Sequence, residues 1–212
     1  MTDRTMTDDR VRRSIFPARI FGTSGNIENV SVLKEPVELQ IGLSETHLAK
    51  VNGKGYVVLD FGREFNGAVR LLTQVAEGGG CRVRIRTGES VSECYAEPGE
   101  KNAGNHHTLR DIEVTLPMYS DMEFLQTGFR FARIDFLEEK VVYVKAILAT
   151  EIRRDLHPVG GFTCNDARVN RIFEVASETL QQCMQTYIWD GIKRDRLVWI
   201  GDMHTEVNTI LT

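Results

Sequence analysis

The sequence contains little proline, cysteine or tryptophan, with only 5, 4 and 2 of these residues among its 212. The cysteines are Cys81, Cys94, Cys164 and Cys183. Their spacing matches neither a zinc-binding nor a redox motif. Each lies in or beside an apolar segment, which is where unpaired cysteines are usually buried. We therefore expect free, buried thiols and neither a metal ion nor another cofactor.

Other absences disfavour whole classes of function. The net charge is −4 and no basic cluster is interleaved with aromatic residues, which disfavours a nucleic-acid partner. No apolar run approaches the roughly 20 residues of a membrane-spanning helix, so no membrane partner is expected. The first 13 residues lack the apolar core of a signal peptide. We expect a cytoplasmic protein with a flexible tail over residues 1–14.

Residues 15–152 have the pattern of an all-β domain. Short runs of β-branched and aromatic residues alternate with Gly, Asn and Asp, and residues 81–87 alternate strictly with arginines on one face. Candidate strands occupy residues 37–41, 56–61, 68–75, 81–87, 108–116, 123–125, 129–136 and 141–150. This pattern predicts an antiparallel β-sandwich with one face of each sheet in water.

The hydrophobic period changes after a predicted linker at residues 153–163. Helical spacing then connects Val169, Ile172, Phe173, Ala176, Leu180, Cys183, Met184 and Tyr187. The pattern predicts one helix over residues 165–187, capped by Asn165 or Asp166. A second helix is predicted to begin around residues 201–206.

Residues 189–206, the terminal segment, concentrate charged side chains and both tryptophans. Its carboxyl groups belong to Asp190, Asp195, Asp202 and Glu206. Glycoside hydrolysis usually needs two carboxyl groups that flank the bond, and indole rings such as those of Trp189 and Trp199 can stack on a sugar. The alternative is a solvated loop with surface ion pairs, worth about 0–1 kcal/mol each, and tryptophans that anchor a helix. The residues alone leave both interpretations open.

A resemblance favours the first interpretation. Residues 190–202 resemble the segment that opens the catalytic domain of α-L-rhamnosidase-like glycoside hydrolases, a six-hairpin (α/α)6-barrel group. The matching residues are Asp190, Arg194, Asp195, Arg196, Leu197, Trp199, Gly201 and Asp202. Weaker similarity covers residues 162–174, 127–134 and 60–67. The resemblance implies a mainly β protein, with an antiparallel sandwich followed, in residues 164–212, by the first helices of an incomplete barrel.

The resemblance also implies a reaction, the hydrolysis of terminal α-L-rhamnosyl or related bonds by carboxylate acid/base catalysis. It marks Asp195, Asp202 and Glu206 as catalytic candidates, and Asp190, Arg194 and Trp199 as substrate-binding candidates. The common family form has Asp-Glu between two arginines, and that Glu is the general acid. Here Asp195 stands alone between them, so either Asp195 or Glu206 replaces it. In the family, the general base lies far downstream, in barrel helices that this chain does not contain, so we expect this chain alone to be inactive.

A second hypothesis is a non-catalytic carbohydrate-binding or structural sandwich module. Such a module displays exposed aromatic residues on the sandwich, whereas both tryptophans lie in the terminal segment. The tyrosines on the sandwich side are Tyr56, Tyr95, Tyr119 and Tyr143. Under either hypothesis the partner is a carbohydrate. The apolar face of the predicted helix 165–187 further predicts self-association if it stays uncovered.

Overall fold

The computed structural model describes residues 7–42, 46–76, 79–100, 103–104 and 108–211. Within these residues, seven strands form one antiparallel sheet system, and two longer helices follow it. The strands are β1 (Arg10–Ile15), β2 (Arg19–Glu28), β3 (Ala49–Val75), β4 (Cys81–Gly88), β5 (Asp111–Leu116), β6 (Tyr119–Phe136) and β7 (Val141–Arg154). The helices are a 3-10 turn (Val30–Lys34), α1 (Val91–Tyr95), α2 (Ala167–Cys183) and α3 (Ile200–Ile210).

Two long strands, β3 and β6, build both layers of the sandwich. Residues 55–60 of β3 pair with β2 and β6, while residues 67–75 pair with β6 and β7. Between these halves the register with β6 shifts, and Gly62 adopts a φ of 84° that favours glycine. The sheet folds over so far that Val142 pairs with both Val51 and Val75. The predicted antiparallel sandwich is confirmed.

The core lies between the two layers and is drawn from both. Alternate residues of the strands belong to this core, as in Val57 and Leu59 of one layer and Val69 and Leu71 of the other, although the residues between them are also buried. Phe61, Phe65 and Phe129 pack edge to face, with ring centroids 5.0–5.8 Å apart. Burying such side chains contributes about 1.5–3 kcal/mol each, so the apolar faces of the strands drive the layers together.

The structure corrects three boundaries near the N-terminal half. Residues 10–14 of the expected tail belong to β1, because they add to the free edge of β7. Residues 37–41 form no strand; their alternating Val37, Leu39 and Ile41 instead pack on a small cluster around Leu72 and Leu148. Several predicted strands merge, because β3 and β6 continue through bends rather than ending at them.

Helix α2 begins as predicted and ends earlier than predicted. The Asp166 carboxylate accepts hydrogen bonds from the amides of Arg168 and Val169, which confirms the N-cap. The helix ends at Cys183, and a bridge between Met184 and Ile188 turns the chain back instead of continuing to residue 187. The predicted second helix is confirmed as α3. Among the described residues, no helix has the length and apolarity needed to cross a membrane.

The four cysteines are free thiols. Burial is confirmed for Cys81, Cys94 and Cys183. The prediction is wrong for Cys164, which is partly exposed because it lies in the irregular segment before α2. There its amide donates to the side chain of Asn170.

Candidate active site

The terminal segment contains a closed loop, residues 190–197, which we call the carboxylate loop. The Asp190 amide donates to the Leu197 carbonyl at 2.9 Å, and the Leu197 amide donates to Asp190 Oδ1 at 2.9 Å. Inside the loop, Asp195 and Arg196 have φ angles of 57° and 53°, in the left-handed region that non-glycine residues rarely occupy. Such a conformation costs energy and persists only when its surroundings hold it.

The sandwich supplies the contacts that hold this loop. Thr127 Oγ1 on β6 donates to the carbonyl of Lys193 at 3.0 Å, and Arg196 Nη1 donates to the carbonyl of Gln126 at 2.9 Å. Gly128 lets the loop approach still more closely, because a Cβ there would lie 2.5 Å from Ile192 Cγ1. The loop is therefore shaped against β6.

Lys193 adds a partly buried ionic contact. Its Nζ lies 2.8 Å from Glu89 and 2.7 Å from Glu93, and only a tenth of the Glu93 side chain is exposed. Burial by itself lowers the pKa of Lys193, but the hydrogen bonds to both carboxylates outweigh it and the pKa is raised. Glu93 lies on α1, and its backbone carbonyl accepts a hydrogen bond from the fully buried Arg110.

A cleft of about 1100 Å³ separates the sandwich from α2 and the carboxylate loop. Its sandwich wall includes Gly62, Arg63, Glu64, Glu89, Arg130 and Arg153. Its opposite wall includes the polar face of α2 and residues 190–195. The volume is typical of a small-molecule site, and the lining is rich in hydrogen-bonding groups.

Buried carboxylates orient the arginines of the sandwich wall. Asp60, 1% exposed, accepts two hydrogen bonds from Arg130 at 2.8 and 2.9 Å, one from Arg19 at 2.9 Å and one from the Gly62 amide. The hydrogen bonds from Arg130 contribute most to holding the pKa of Asp60 down at about 2. Asp60 is therefore ionised and fixes Arg130 at the edge of the cleft.

The polar face of α2, rather than its apolar stripe, packs on the sandwich. Arg63 bridges the buried Glu151 at 2.7 Å and Glu178 of α2 at 3.1 Å. Gln182 donates to Glu151 and accepts from the backbone amide of Asn66. The first half of the apolar stripe, with Val169, Ile172 and Phe173, is exposed, whereas Cys183 near its end is buried.

One carboxyl group of the cleft was not among the sequence candidates. Glu64 follows the β3 bend, and partial desolvation by the cleft walls together with the neighbouring charge of Glu89 raises its pKa to about 7. A lone glutamate two residues after Gly62 carries no motif. Only the fold, which brings it opposite the carboxylate loop, distinguishes it from other exposed glutamates.

The structure brings some of the predicted site residues together and separates others. Asp190, Arg194 and Asp195 line the cleft. Over the described residues, the cleft lining does not include Trp199, Asp202 or Glu206.

Trp199 and Asp202 lie at the start of α3, and Glu206 lies in the middle of this helix. Trp199 precedes the helix and is 53% exposed, and Asp202 is exposed in the first turn. Glu206 is partly buried, and desolvation together with the charges of Asp202 and Asp190 raises its pKa. The charge of Asp190, which lines the cleft, thus reaches Glu206 on α3.

Comparison with known proteins identifies relatives of both parts of the chain. Residues 157–212 match the family model of the bacterial alpha-L-rhamnosidase six-hairpin glycosidase domain. An alpha-L-rhamnosidase from Formosa agariphila is 23% identical over 190 residues, which cover 86% of this chain. The chain spans 19% of the length of that curated relative.

Solved structures extend the likeness to the fold. A rhamnosidase from Klebsiella oxytoca with rhamnose bound aligns with a TM-score of 0.71 at 20% identity, over 94% of this chain and 40% of that one. A GH78 family rhamnosidase from Bacillus sp. GL1 aligns with a TM-score of 0.66 at 18% identity, over 84% of this chain and 18% of that one. The order of sandwich and helices is therefore shared with rhamnosidases, and the predicted resemblance is confirmed.

Proposed function

Because the chain is α-L-rhamnosidase-like in both sequence and fold, we propose that it forms part of a glycoside hydrolase acting on terminal α-L-rhamnosyl bonds. Its share of the site is the cleft between the sandwich and the carboxylate loop, where a terminal rhamnosyl unit binds. The observation that carries this proposal is the position of Asp190 and Asp195 on one wall of that cleft, opposite hydrogen-bonding groups of the sandwich.

The lining of the cleft suits a neutral, hydroxyl-rich ligand. Arg130 and Lys193 offer N–H donors, and Asp190 and Asp195 offer acceptors, so a sugar ring can exchange its bound water for fixed partners. Donors held by buried carboxylates, such as Arg130 by Asp60, need little reorganisation when the ligand binds. This arrangement supports recognition of a carbohydrate.

The geometry supports Asp195, ahead of Glu206, in the acid/base role. Asp195 lines the cleft, whereas the described lining does not include Glu206. An inverting enzyme places its two carboxyl groups about 6.5–9.5 Å apart to admit a water molecule. We infer that Asp195 acts as one of this pair and that Asp190 and Arg194 bind the sugar. Asp202 and Glu206 then set the local charge around Asp190.

The alternative hypothesis, a non-catalytic carbohydrate-binding module, requires aromatic rings of the sandwich that a sugar can stack on, and its tyrosines support this poorly. Tyr56 and Tyr95 lie together, but the guanidinium of Arg133 lies over both rings, 4.1 and 4.8 Å from their centroids. A sugar stacking on these faces would have to displace that cation and its ion pair with Asp135. Tyr119, 41% exposed, is not among the described residues that line the cleft.

Binding of L-rhamnose by isothermal titration or ligand-observed NMR tests the proposal. We expect binding by the chain and a loss of at least about tenfold in affinity for Asp195→Asn, since a charged acceptor contributes about 1.5–3 kcal/mol. The matched control is Asp121→Asn, an exposed aspartate paired with Arg70 outside the cleft, which we expect to bind normally. Equal loss in both variants, or no binding by the chain, would contradict the proposal.

Hydrolysis of a chromogenic α-L-rhamnoside is the companion assay. We expect no turnover by the chain alone, because the resemblance implies a base from elsewhere in the barrel. Turnover that disappears in Asp195→Asn would show that a complete site forms, and the expectation of inactivity would be wrong.

A further inference from the structure

Lys193 of the carboxylate loop is held both at its ammonium group and at its backbone carbonyl. The ammonium group lies 2.7 Å from the Glu93 carboxylate, and the carbonyl accepts from Thr127 at 3.0 Å. Behind these two contacts lie Arg110 and Thr108, two residues apart in the segment that leads into β5. Neither of these two residues is among the described residues that line the cleft.

On the ammonium side, four charged groups alternate in sign from the interior to the surface. Arg110 is 1% exposed, and its Nε lies 3.7 Å from the Glu93 carboxylate. That carboxylate contacts Lys193 Nζ, which in turn lies 2.8 Å from Glu89. Glu93 therefore shares its charge between a buried guanidinium group and the loop. Removing one member of such a row leaves its neighbour buried without full compensation.

Arg110 also fixes the place of the Glu93 carboxylate. Its Nη1 donates to the Glu93 carbonyl at 3.0 Å, and its Nη2 and Nε donate to the carbonyls of Ala103 and Gly104, each at 2.9 Å. Every guanidinium nitrogen thus has an acceptor, so the group cannot turn without breaking hydrogen bonds. The Glu89 amide donates to Glu93 Oε2 at 2.9 Å, and Oε1 is the oxygen that contacts Lys193.

On the carbonyl side, two threonine hydroxyl groups form a directed chain. Thr127 Oγ1 donates its single proton to the Lys193 carbonyl. Because a hydroxyl group has only one O–H, Thr108 is the donor in the 2.9 Å hydrogen bond between Thr108 Oγ1 and Thr127 Oγ1. This donation polarises the Thr127 hydroxyl and strengthens its bond to the loop.

We propose that Thr108 and Arg110 are positioning residues for the sugar-binding cleft. They set the place of Lys193 through Thr127 and Glu93, and thereby the place of Asp195, two residues further along the carboxylate loop. This inference rests on the proposed function, since the sugar is the ligand of the cleft that the loop forms. It extends the site to the segment before β5.

The row of charges is tested without any ligand, by hydrogen exchange of the loop amides of Asp190, Arg196 and Leu197. Glu93→Gln keeps the shape of the side chain and removes its charge, so these amides should exchange about tenfold faster. In a Lys193→Met background the same substitution should change their exchange by less than about twofold, because the partner of that charge is already absent.

Arg110→Met should act in the same way as Glu93→Gln, and Glu93→Gln decides the test alone if Arg110→Met does not fold. The control is Arg70→Met, because Arg70 pairs with Asp121 outside the cleft, and it should leave the loop amides unchanged. The amides of β7 report global unfolding in the same experiment. Equal acceleration of the loop and β7 amides, or the same acceleration with and without Lys193, would overturn the proposal.

Thr108→Val and Thr108→Ser form a matched pair for the role in recognition, since valine keeps the shape of threonine and serine keeps its O–H. Affinity for L-rhamnose should fall about three- to tenfold for Thr108→Val, as for the loss of one hydrogen bond, and by less than about twofold for Thr108→Ser. Equal losses in both variants, or no loss in Thr108→Val, overturn this inference and leave the proposed function standing.

The two proposals can fail separately. Absence of rhamnose binding by the unmodified chain overturns the proposed function and the role in recognition. Faster exchange of the loop amides in Glu93→Gln, lost in the Lys193→Met background, would still support the positioning of the loop.

Discussion

At the scale of single residues, buried carboxylates hold neighbouring side chains in place. Asp60 is the clearest case, because its buried carboxylate accepts from Arg130, Arg19 and a backbone amide at the same time. Sequence alone marked Asp60 only as part of a weak resemblance. Its role depends on the β3 bend, which a sequence pattern does not specify.

Asp60→Asn is predicted to destabilise the protein at neutral pH by about 1–2 kcal/mol, since both arginine partners are partly exposed and solvent screens them. The folded-state pKa of Asp60, about 2, lies below the ordinary value of 3.8. Its stabilisation is therefore present above pH 3.8 and is lost as the pH falls through about 2. Denaturant unfolding of both proteins at neutral and acidic pH checks this. An equal difference in free energy of unfolding at both pH values would contradict it.

At the scale of elements, the carboxylate loop takes its shape from the sandwich. Its contacts reach β6 through Thr127 and Gly128, and α1 through Glu93. Asp195 and Arg196 adopt left-handed backbone conformations that these residue types disfavour, and the tertiary contacts of the loop stabilise them.

Gly128→Ala is predicted to release the carboxylate loop. The added Cβ would lie 2.5 Å from Ile192 Cγ1 and 2.9 Å from the Lys193 amide nitrogen, so the loop must move away. We expect a loss of about 1–3 kcal/mol in stability, as for overpacked contacts. The matched control is Gly161→Ala, where a Cβ meets nothing within 4 Å. Unchanged rhamnose binding and stability for Gly128→Ala would refute the prediction.

Lys193→Met should loosen the same loop without a steric clash. It removes the cation that bridges Glu89 and Glu93, so the amides of Asp190, Arg196 and Leu197 should exchange with deuterium about tenfold faster. Lys54→Met is the control, because Lys54 is exposed and lies 3.8 Å from its nearest carboxylate. Equal exchange in both variants would mean that β6 alone holds the loop.

Element types were more predictable from sequence than element extents. Period-two alternation identified β4, and period 3.6 with an Asp cap identified α2, because these patterns follow directly from which face is buried. The continuity of β3 was not predictable, because a glycine often marks the end of a strand, whereas Gly62 only bends β3. The carboxylate loop positions were identified by motif, whereas Glu64 entered the site only through tertiary contacts.

At the scale of the whole molecule, the contact between sandwich and helices is polar and the outer face of α2 is apolar. Ile172 is 59% exposed and Phe173 37% exposed, while Glu178 and Gln182 face the sandwich. Self-association through that outer face therefore stays a prediction for the chain by itself.

Ile172→Glu should weaken this self-association by about tenfold or more, since burial of an isoleucine contributes about 1.5–3 kcal/mol. Sedimentation or light scattering over a range of concentrations measures it. Val159→Glu, fully exposed in the segment before α2, is the control. A chain that remains a monodisperse monomer at high concentration would contradict the prediction.

The central claim is that sandwich and carboxylate loop together form one sugar-binding cleft. Amide chemical-shift mapping by NMR during titration with L-rhamnose tests it most directly. We predict perturbations on both walls, at residues 62–64 and at residues 190–195. Perturbations confined to the tyrosines of the sandwich, or to neither wall, would contradict the account.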